Sequence, residues 1–244
     1  MEIKTKRCVF PSQSAVKDIL IPGNEPCDVW INWESGVRDF ILNKINKSTY
    51  FIDVGANIGY FSLWAATKAM RVFAIEPNPP VFEILVSNIQ DVANISAYDI
   101  ALSGNNPNGR FYWRGLAHGD GRLYNPKDIN PDDGNEYESK DIVTMTLSGF
   151  QKQYCGTHKI NFIKMDCEGS EYEILHDRAF FRKNIGCEIM LELHGTMIRD
   201  RGFDYNQFRK YLFSRFKVYD LVGMPLNSSE EIPVRGHVFL KSVL

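Results

Sequence analysis

Three sets of residues in this chain have types and spacing that could do chemistry. The first is Phe51-Ile-Asp-Val-Gly-Ala-Asn-Ile-Gly59, where strand-forming residues run straight into two glycines four apart, Gly55 and Gly59. A helix-like stretch follows. Strand, tight turn and helix N-terminus together present backbone N–H groups to a nucleotide-like ligand. The second is Glu76, which ends the apolar strand Val72-Phe-Ala-Ile75 and stands 21 residues beyond Gly55. A carboxylate at that spacing accepts hydrogen bonds from both hydroxyls of a ribose; a solvated turn glutamate is the plainer alternative. The third is Asp166, Glu168 and His194, which follow two later apolar strands. Carboxylates, and an imidazole with a pKa near neutrality, are groups that can take a proton from a nucleophile.

The glycine pattern separates two classes of ligand. Dinucleotide binders use G-x-G-x-x-G to bring the backbone close to a pyrophosphate. Here the run is Gly55-Ala56-Asn57-Ile58-Gly59, without the middle glycine, and Asp53 puts a negative charge beside the turn. A carboxylate there suits a ligand carrying an ammonium and a sulfonium, which describes S-adenosylmethionine. NAD fits poorly.

These residues need a scaffold of alternating strands and helices. The spacing predicts a helix over 34–46 with Val37, Phe40, Ile41 and Ile45 on one face, a strand at 50–54, a helix at 57–67 and a strand at 71–76. Asn78 then reads as a helix cap, with prolines 79 and 80 at the first helical positions and Phe82, Leu85 and Ile89 facing inward. Strands follow at about 95–102, 161–165 and 188–193, helices at 168–179 and 204–215, and final strands at 216–221 and 237–242. This alternation implies an α/β fold, a single doubly wound, mainly parallel seven-stranded sheet with helices on both faces. The link over 222–236 is too short for a crossover helix, so the last strand pair is expected to be antiparallel. Residues 105–140 break the rhythm. They are rich in Gly, Asn, Asp and Pro, hold Trp113, His118, Asp120 and Arg122, and read as a substrate lid or a mobile spacer.

At 244 residues, 44% of them hydrophobic, the chain suffices for one domain, 1–244, with residues 1–48 as an N-terminal cap region. A net charge of −2 gives no electrostatic reason to expect nucleic acid as partner. No stretch approaches the ~20 apolar residues of a membrane span. The charged first residues lack an apolar core after them, so no secretory signal is expected. Five cysteines without a C-x-x-C pair point to a reducing cytoplasm. No His/Cys group has zinc spacing, and no obligatory metal is expected.

The chain resembles the FkbM family of S-adenosylmethionine-dependent methyltransferases, a class I Rossmann-like group. The resemblance runs from about Tyr50 to Leu193. It rests on Phe-Ile-Asp-Val-Gly-Ala-Asn-Ile-Gly (51–59), Ala-Ile-Glu-Pro-Asn-Pro (74–79), Asn88 and Ala-Leu-Ser (101–103). Ile-Lys-Met-Asp-Cys-Glu-Gly-Ser-Glu (163–171) and Leu-Glu-Leu-His (191–194) complete it, the Asp-x-Glu-Gly-x-Glu block being the most family-specific. The chain departs from the family at Leu147-Ser148, where Leu-Asp is usual.

The resemblance implies S-adenosyl-L-methionine as cofactor, held by Asp53, Gly55, Ala56, Asn57, Gly59, Glu76, Pro77, Asn78, Asp99 and Ile100. Glu76 would take the ribose, Asn57 the methionine portion, and Asp99 either the adenine amino group or solvent. Asp53 would orient the turn or reach the ammonium through water. Methyl transfer is an in-line displacement at sulfonium, so alignment dominates, and an alcohol acceptor adds the need for a base. Asp166, Glu168 and His194 are the candidates. His194 reads equally as a residue bonded to its own loop, Glu168 as a helix cap, and Glu171 and Glu173 as solvated helix positions. The acceptor implied is a hydroxyl of a sugar, glycan or small natural product. Two other classes compete, a non-catalytic protein that keeps the cofactor fold and an NAD-dependent oxidoreductase.

Overall fold

The apolar runs become the strands of one large sheet and two small ones. The computed structural model describes residues 4–104, 107–115 and 121–243; His118 and Asp120 lie outside them. In chain order the strands are β1 Thr5–Val9, β2 Asp18–Pro22, β3 Tyr50–Val54, β4 Arg71–Ile75, β5 Ile95–Tyr98 and β6 Ala101–Leu102. Then come β7 Asn108–Trp113, β8 Glu138–Met145, β9 Phe162–Met165, β10 Glu188–His194, β11 Phe216–Tyr219 and β12 Arg235–Ser242. The seven-stranded sheet has the order β11-β12-β10-β9-β3-β4-β5. Neighbours run parallel except β12, which is antiparallel to both β10 and β11, as the short link predicts.

The central strands are mostly apolar because helices cover both faces, with Asp53 on β3 and Lys164 on β9 as buried charges among them. On β3, Phe51 packs with the helices Tyr60–Ala66 and Pro79–Ile89, while Ile52 and Val54 face Phe180, Phe208 and Leu212 on the other side. The chain order reverses between β3 and β9, and in open α/β sheets the crevice at such a switch point receives ligands. The strand tips there are tied together, since Asp166 N–H donates to Val54 O at 3.0 Å. Among the described residues no helix is long and apolar enough to cross a membrane.

Several elements differ from expectation. The strand expected over 95–102 breaks after Tyr98; Ala101–Leu102 leaves the large sheet and pairs with β8 instead. Residues 105–140 are not an irregular loop alone. Strands β7 and β8 pair antiparallel and, with β6, form a three-stranded sheet whose core holds Phe111, Trp113 and Ile142. Trp113 is therefore a buried core residue of that sheet. The helix expected over 168–179 is two helices, Glu171–Leu175 and Arg178–Lys183, because Asp177 interrupts it. The Asp177 carboxylate accepts from Phe180 N–H and from Ser148 N–H, supplying an acid where the chain lacks the family's aspartate.

The cap region carries a hairpin, β1 with β2, that the sequence reading missed. Asn88 fastens it: its Oδ1 accepts from Leu20 N–H at 2.6 Å, and its Nδ2 donates to Leu20 O and Ile58 O. One side chain thus joins the hairpin to the glycine turn.

Candidate functional site

Two adjoining clefts open at the carboxyl ends of β3, β4, β9 and β10. The first, open to solvent, is bordered by Gly55, Asn57, Glu76, Pro77, Asn78, Ala101 and Leu102. Phe111, Gly121, Arg122 and Leu123 of the inserted segment close one side. The second, about 500 Å³, is bordered by Trp33, Glu34, Glu192, His194, Gly195, Thr196, Met197, Val234 and Arg235. Asn57, Asp166 and Glu168 border both.

The turn in the first cleft is fixed by close backbone approach. Gly55 has φ +73°, and a Cβ there would lie 1.8 Å from Asp166 O, so only glycine fits. Asn57 also sits in left-handed space, at φ +52°. Its N–H donates to Glu76 Oε2 at 2.8 Å, and Asn78 N–H donates to Glu76 Oε1 at 2.9 Å. Each carboxylate oxygen of Glu76 keeps a further lone pair, the geometry needed to accept from two ribose hydroxyls. Burial pushes the Glu76 pKa up to about 7 against those two backbone donors.

Asn78 is buried, its side chain caps no helix, and its Oδ1 has no partner among the described residues. An orphaned acceptor, a two-acceptor carboxylate and a glycine cradle in one cleft fit an adenosine-bearing cofactor. Gly55, Asn57, Glu76, Pro77 and Asn78 come together there. Asp53 lies beneath the turn, wholly buried, and accepts from Ser62 Oγ at 2.6 Å. Ala56 and Gly59 shape the turn without bordering the cleft. Asp99 is exposed, Ile100 is buried, and neither borders the cleft; Ala101 and Leu102 stand there instead.

At the junction, Lys164 is buried and its Nζ donates to Gly55 O at 3.1 Å and Asp166 Oδ2 at 3.2 Å. Burial pushes the Asp166 pKa up, but Lys164 and then His194 outweigh it and hold the carboxyl below its ordinary value. Burial likewise raises Glu168 to about 8.

His194 is 6% exposed, and its Nδ1 lies 2.7 Å from Oε1 of a fully buried Glu171. Its Nε2 points to the junction, 3.7 Å from Asp166 Oδ1 and 3.6 Å from Glu168 Oε1. Burial lowers the His194 pKa, yet the Glu171 bond and neighbouring carboxylates raise it to about 9. Glu171 is thus no solvated helix position; the left-handed Gly169 before it turns the helix so that its first side chain faces inward. Glu173 is also paired, with Arg201 and with Ser103 Oγ. Sequence reasoning missed Glu171, Lys164, Trp33, Glu34 and His237. The Ile-Lys-Met-Asp-Cys-Glu-Gly-Ser-Glu block carried a signal for two of them, the lysine inside an apolar strand and the second glutamate after Gly169.

Sheet order and the glycine turn after β3 define the class as a Rossmann-like α/β fold. The methyltransferase FkbM domain model matches residues 53–221, and the chain belongs to that family of S-adenosylmethionine-dependent enzymes. A similar protein is the hexuronic acid methyltransferase AglP of Haloferax volcanii, 27% identical over 174 residues. The match covers 68% of this chain and 66% of AglP, slightly under two thirds of the relative. Among solved structures, a protein of Klebsiella pneumoniae provisionally described as an O-methyltransferase superposes with TM-score 0.50 at 10% identity. That match covers 92% of this chain and 84% of the other, and it shows the fold. A Streptococcus mutans protein provisionally described as a methyltransferase, in complex with SAH, gives TM-score 0.45 at 11% identity, covering 84% and 95%.

Proposed function

We propose that this protein transfers the methyl group of S-adenosylmethionine to a hydroxyl of a sugar. The observation that carries the reading is the junction of the two clefts, where Asp166 borders both and His194 Nε2 faces the boundary. The cofactor supplies an electrophilic methyl; this chain supplies alignment and a destination for the acceptor's proton. Glu76 and Asn78 hold the adenosine portion in the first cleft, and the acceptor lies in the second. Hydrogen-bonded to Glu171 through Nδ1–H, a neutral His194 presents the Nε2 lone pair as base. Asp166, ionised beside Lys164, stabilises the imidazolium that forms. Glu168, raised by burial, borders the same junction and donates to or accepts from the acceptor.

AglP acts on a hexuronic acid, which supports a sugar acceptor here. Glu34 and Glu192 along the second cleft disfavour a nucleic-acid phosphate by charge. All five cysteines are free, in keeping with a reducing cytoplasm, and we take the chain as one domain. Calorimetric titration with S-adenosylmethionine, S-adenosylhomocysteine and NAD(H), followed by methyl-transfer assays on sugars, tests the proposal. Binding of the two adenosyl compounds with transfer to a sugar hydroxyl is expected. Binding of NAD(H), or adenosyl binding with transfer only to a non-sugar acceptor, would overturn it.

A further inference from the structure

The far wall of the acceptor cleft is built outside the stretch that the family model matches. Trp33 and Glu34 precede residue 53, and Val234 and Arg235 follow residue 221. Trp33 stacks one face on Trp30, with ring centroids 5.2 Å apart and planes at 23°, yet the residue is 37% exposed and borders the cleft.

Glu34 is held in left-handed space at φ +38°. Among the described residues the non-glycines with positive φ are Glu34, Asn57 and Glu168, and all three border this cleft. Strained backbone persists where surroundings over-determine it, and such positions cluster at binding sites. Glu34 and Glu192 flank His237, whose Nε2 lies 3.5 Å from the former and 3.4 Å from the latter. Beyond that imidazole Glu34 has no side-chain hydrogen-bond donor among the described residues, and Glu192 adds only the His194 Nε2 at 3.8 Å, beyond hydrogen-bond reach. His194, nine-tenths buried, turns an Nε2 without a hydrogen bond toward the same space.

We infer that Trp33 and Glu34 form the subsite that selects the acceptor, a pyranose ring lying with its C–H face on Trp33 and donating hydroxyls to Glu34 and Glu192. The inference deepens the sugar reading above and rests on it. Half-buried carboxylates short of donors call for a ligand rich in O–H groups, and an exposed aromatic face beside them calls for a flat apolar surface. A pyranose offers both at once. A divalent cation would satisfy the carboxylates but leave the Trp33 face unused. Because the two segments lie outside the shared domain, they can set acceptor choice without touching the cofactor cleft.

The test uses the full chain saturated with S-adenosylhomocysteine. Methyl glucopyranoside, methyl glucuronoside and methyl glucosaminide are titrated by saturation-transfer NMR and calorimetry, with excess chelator present. At least one should bind wild type. Trp33→Ala and Glu34→Gln should each weaken that pyranoside about tenfold or more, and Trp33→Phe about threefold or less. S-adenosylhomocysteine affinity should stay within about twofold in all three, which also shows that the variants fold. Unchanged pyranoside affinity in Trp33→Ala and Glu34→Gln overturns the subsite while leaving the sugar reading intact. If wild type binds the cofactor product but no pyranoside, the sugar reading falls and the subsite with it. Binding that disappears only because of the chelator reassigns the carboxylates to a cation and overturns the role given to Glu34.

Discussion

Glu76 shows how much one carboxylate can organise. It joins the turn after β3 to the loop after β4 through Asn57 and Asn78, and in the proposed reading the lone pair left on each oxygen takes a ribose hydroxyl. Hydrogen bonds to a charged group contribute about 1.5–3 kcal/mol each. Glu76→Ala should therefore weaken S-adenosylhomocysteine about 100-fold or more in calorimetry, and wild-type affinity in that variant would refute the ribose role. For His194 the sign follows from a pKa raised to about 9. With His194 as the proposed base, protonation below that value blocks it, so turnover should climb about tenfold per pH unit from 7 toward 9. Glu171→Gln removes the charge that raises it, moving the rise to lower pH while reducing the plateau about tenfold or more. A pH profile unchanged in that variant would show that the proton leaves elsewhere. Glu76, Asp166 and His194 were legible because each ends an apolar strand. Glu34 and His237 were not, since they meet only through folding and lie 203 residues apart in sequence.

Among the elements, the hairpin of β1 and β2 is held to the glycine turn by Asn88, which makes three hydrogen bonds to backbone. Asn88→Ala leaves those backbone groups short of partners at about 1 kcal/mol apiece. A loss of about 2–4 kcal/mol in urea unfolding is expected, with weaker cofactor binding because Ile58 sits in the turn; an unchanged midpoint would contradict the clamp. Most large-sheet strands were readable because parallel strands covered on both faces are continuous apolar runs. The hairpin and β8 were not. Their residues Lys6, Arg7, Lys140 and Asp141 alternate with few buried positions, and such half-exposed strands carry a weak signal. The early end of β5 was hidden too, because Ala101 and Leu102 continue its apolar character while pairing with another sheet.

For the whole molecule, titration should show in stability. Glu76 and Glu168 are raised from 4.5 to about 7 and about 8, and His194 and His237 from 6.5 to about 9. Each binds its proton more tightly folded than unfolded. Its contribution is present below the unfolded value and is lost as pH rises through the folded one. Asp166, shifted downward, loses its contribution only in acid. The melting temperature of the ligand-free protein should thus fall steadily from pH 6.5 to 9, and calorimetry showing a flat or rising value would contradict the buried cluster. The doubly wound, mainly parallel sheet was legible at this scale because strand and helix alternate with short connections; the meeting of the first and last segments at one cleft was not. The contact of Gly55 with Asp166 has a further meaning for how the molecule is made. The turn is closed by a carbonyl more than a hundred residues downstream, and Lys164 Nζ reaches back to Gly55 O across the same interval. During synthesis the N-terminal half can assemble β3 and β4 early, but it has no finished cofactor cradle until β9 has emerged and docked. A truncated nascent chain would therefore not sequester the cofactor, and ligand capture would report that the centre of the sheet has closed.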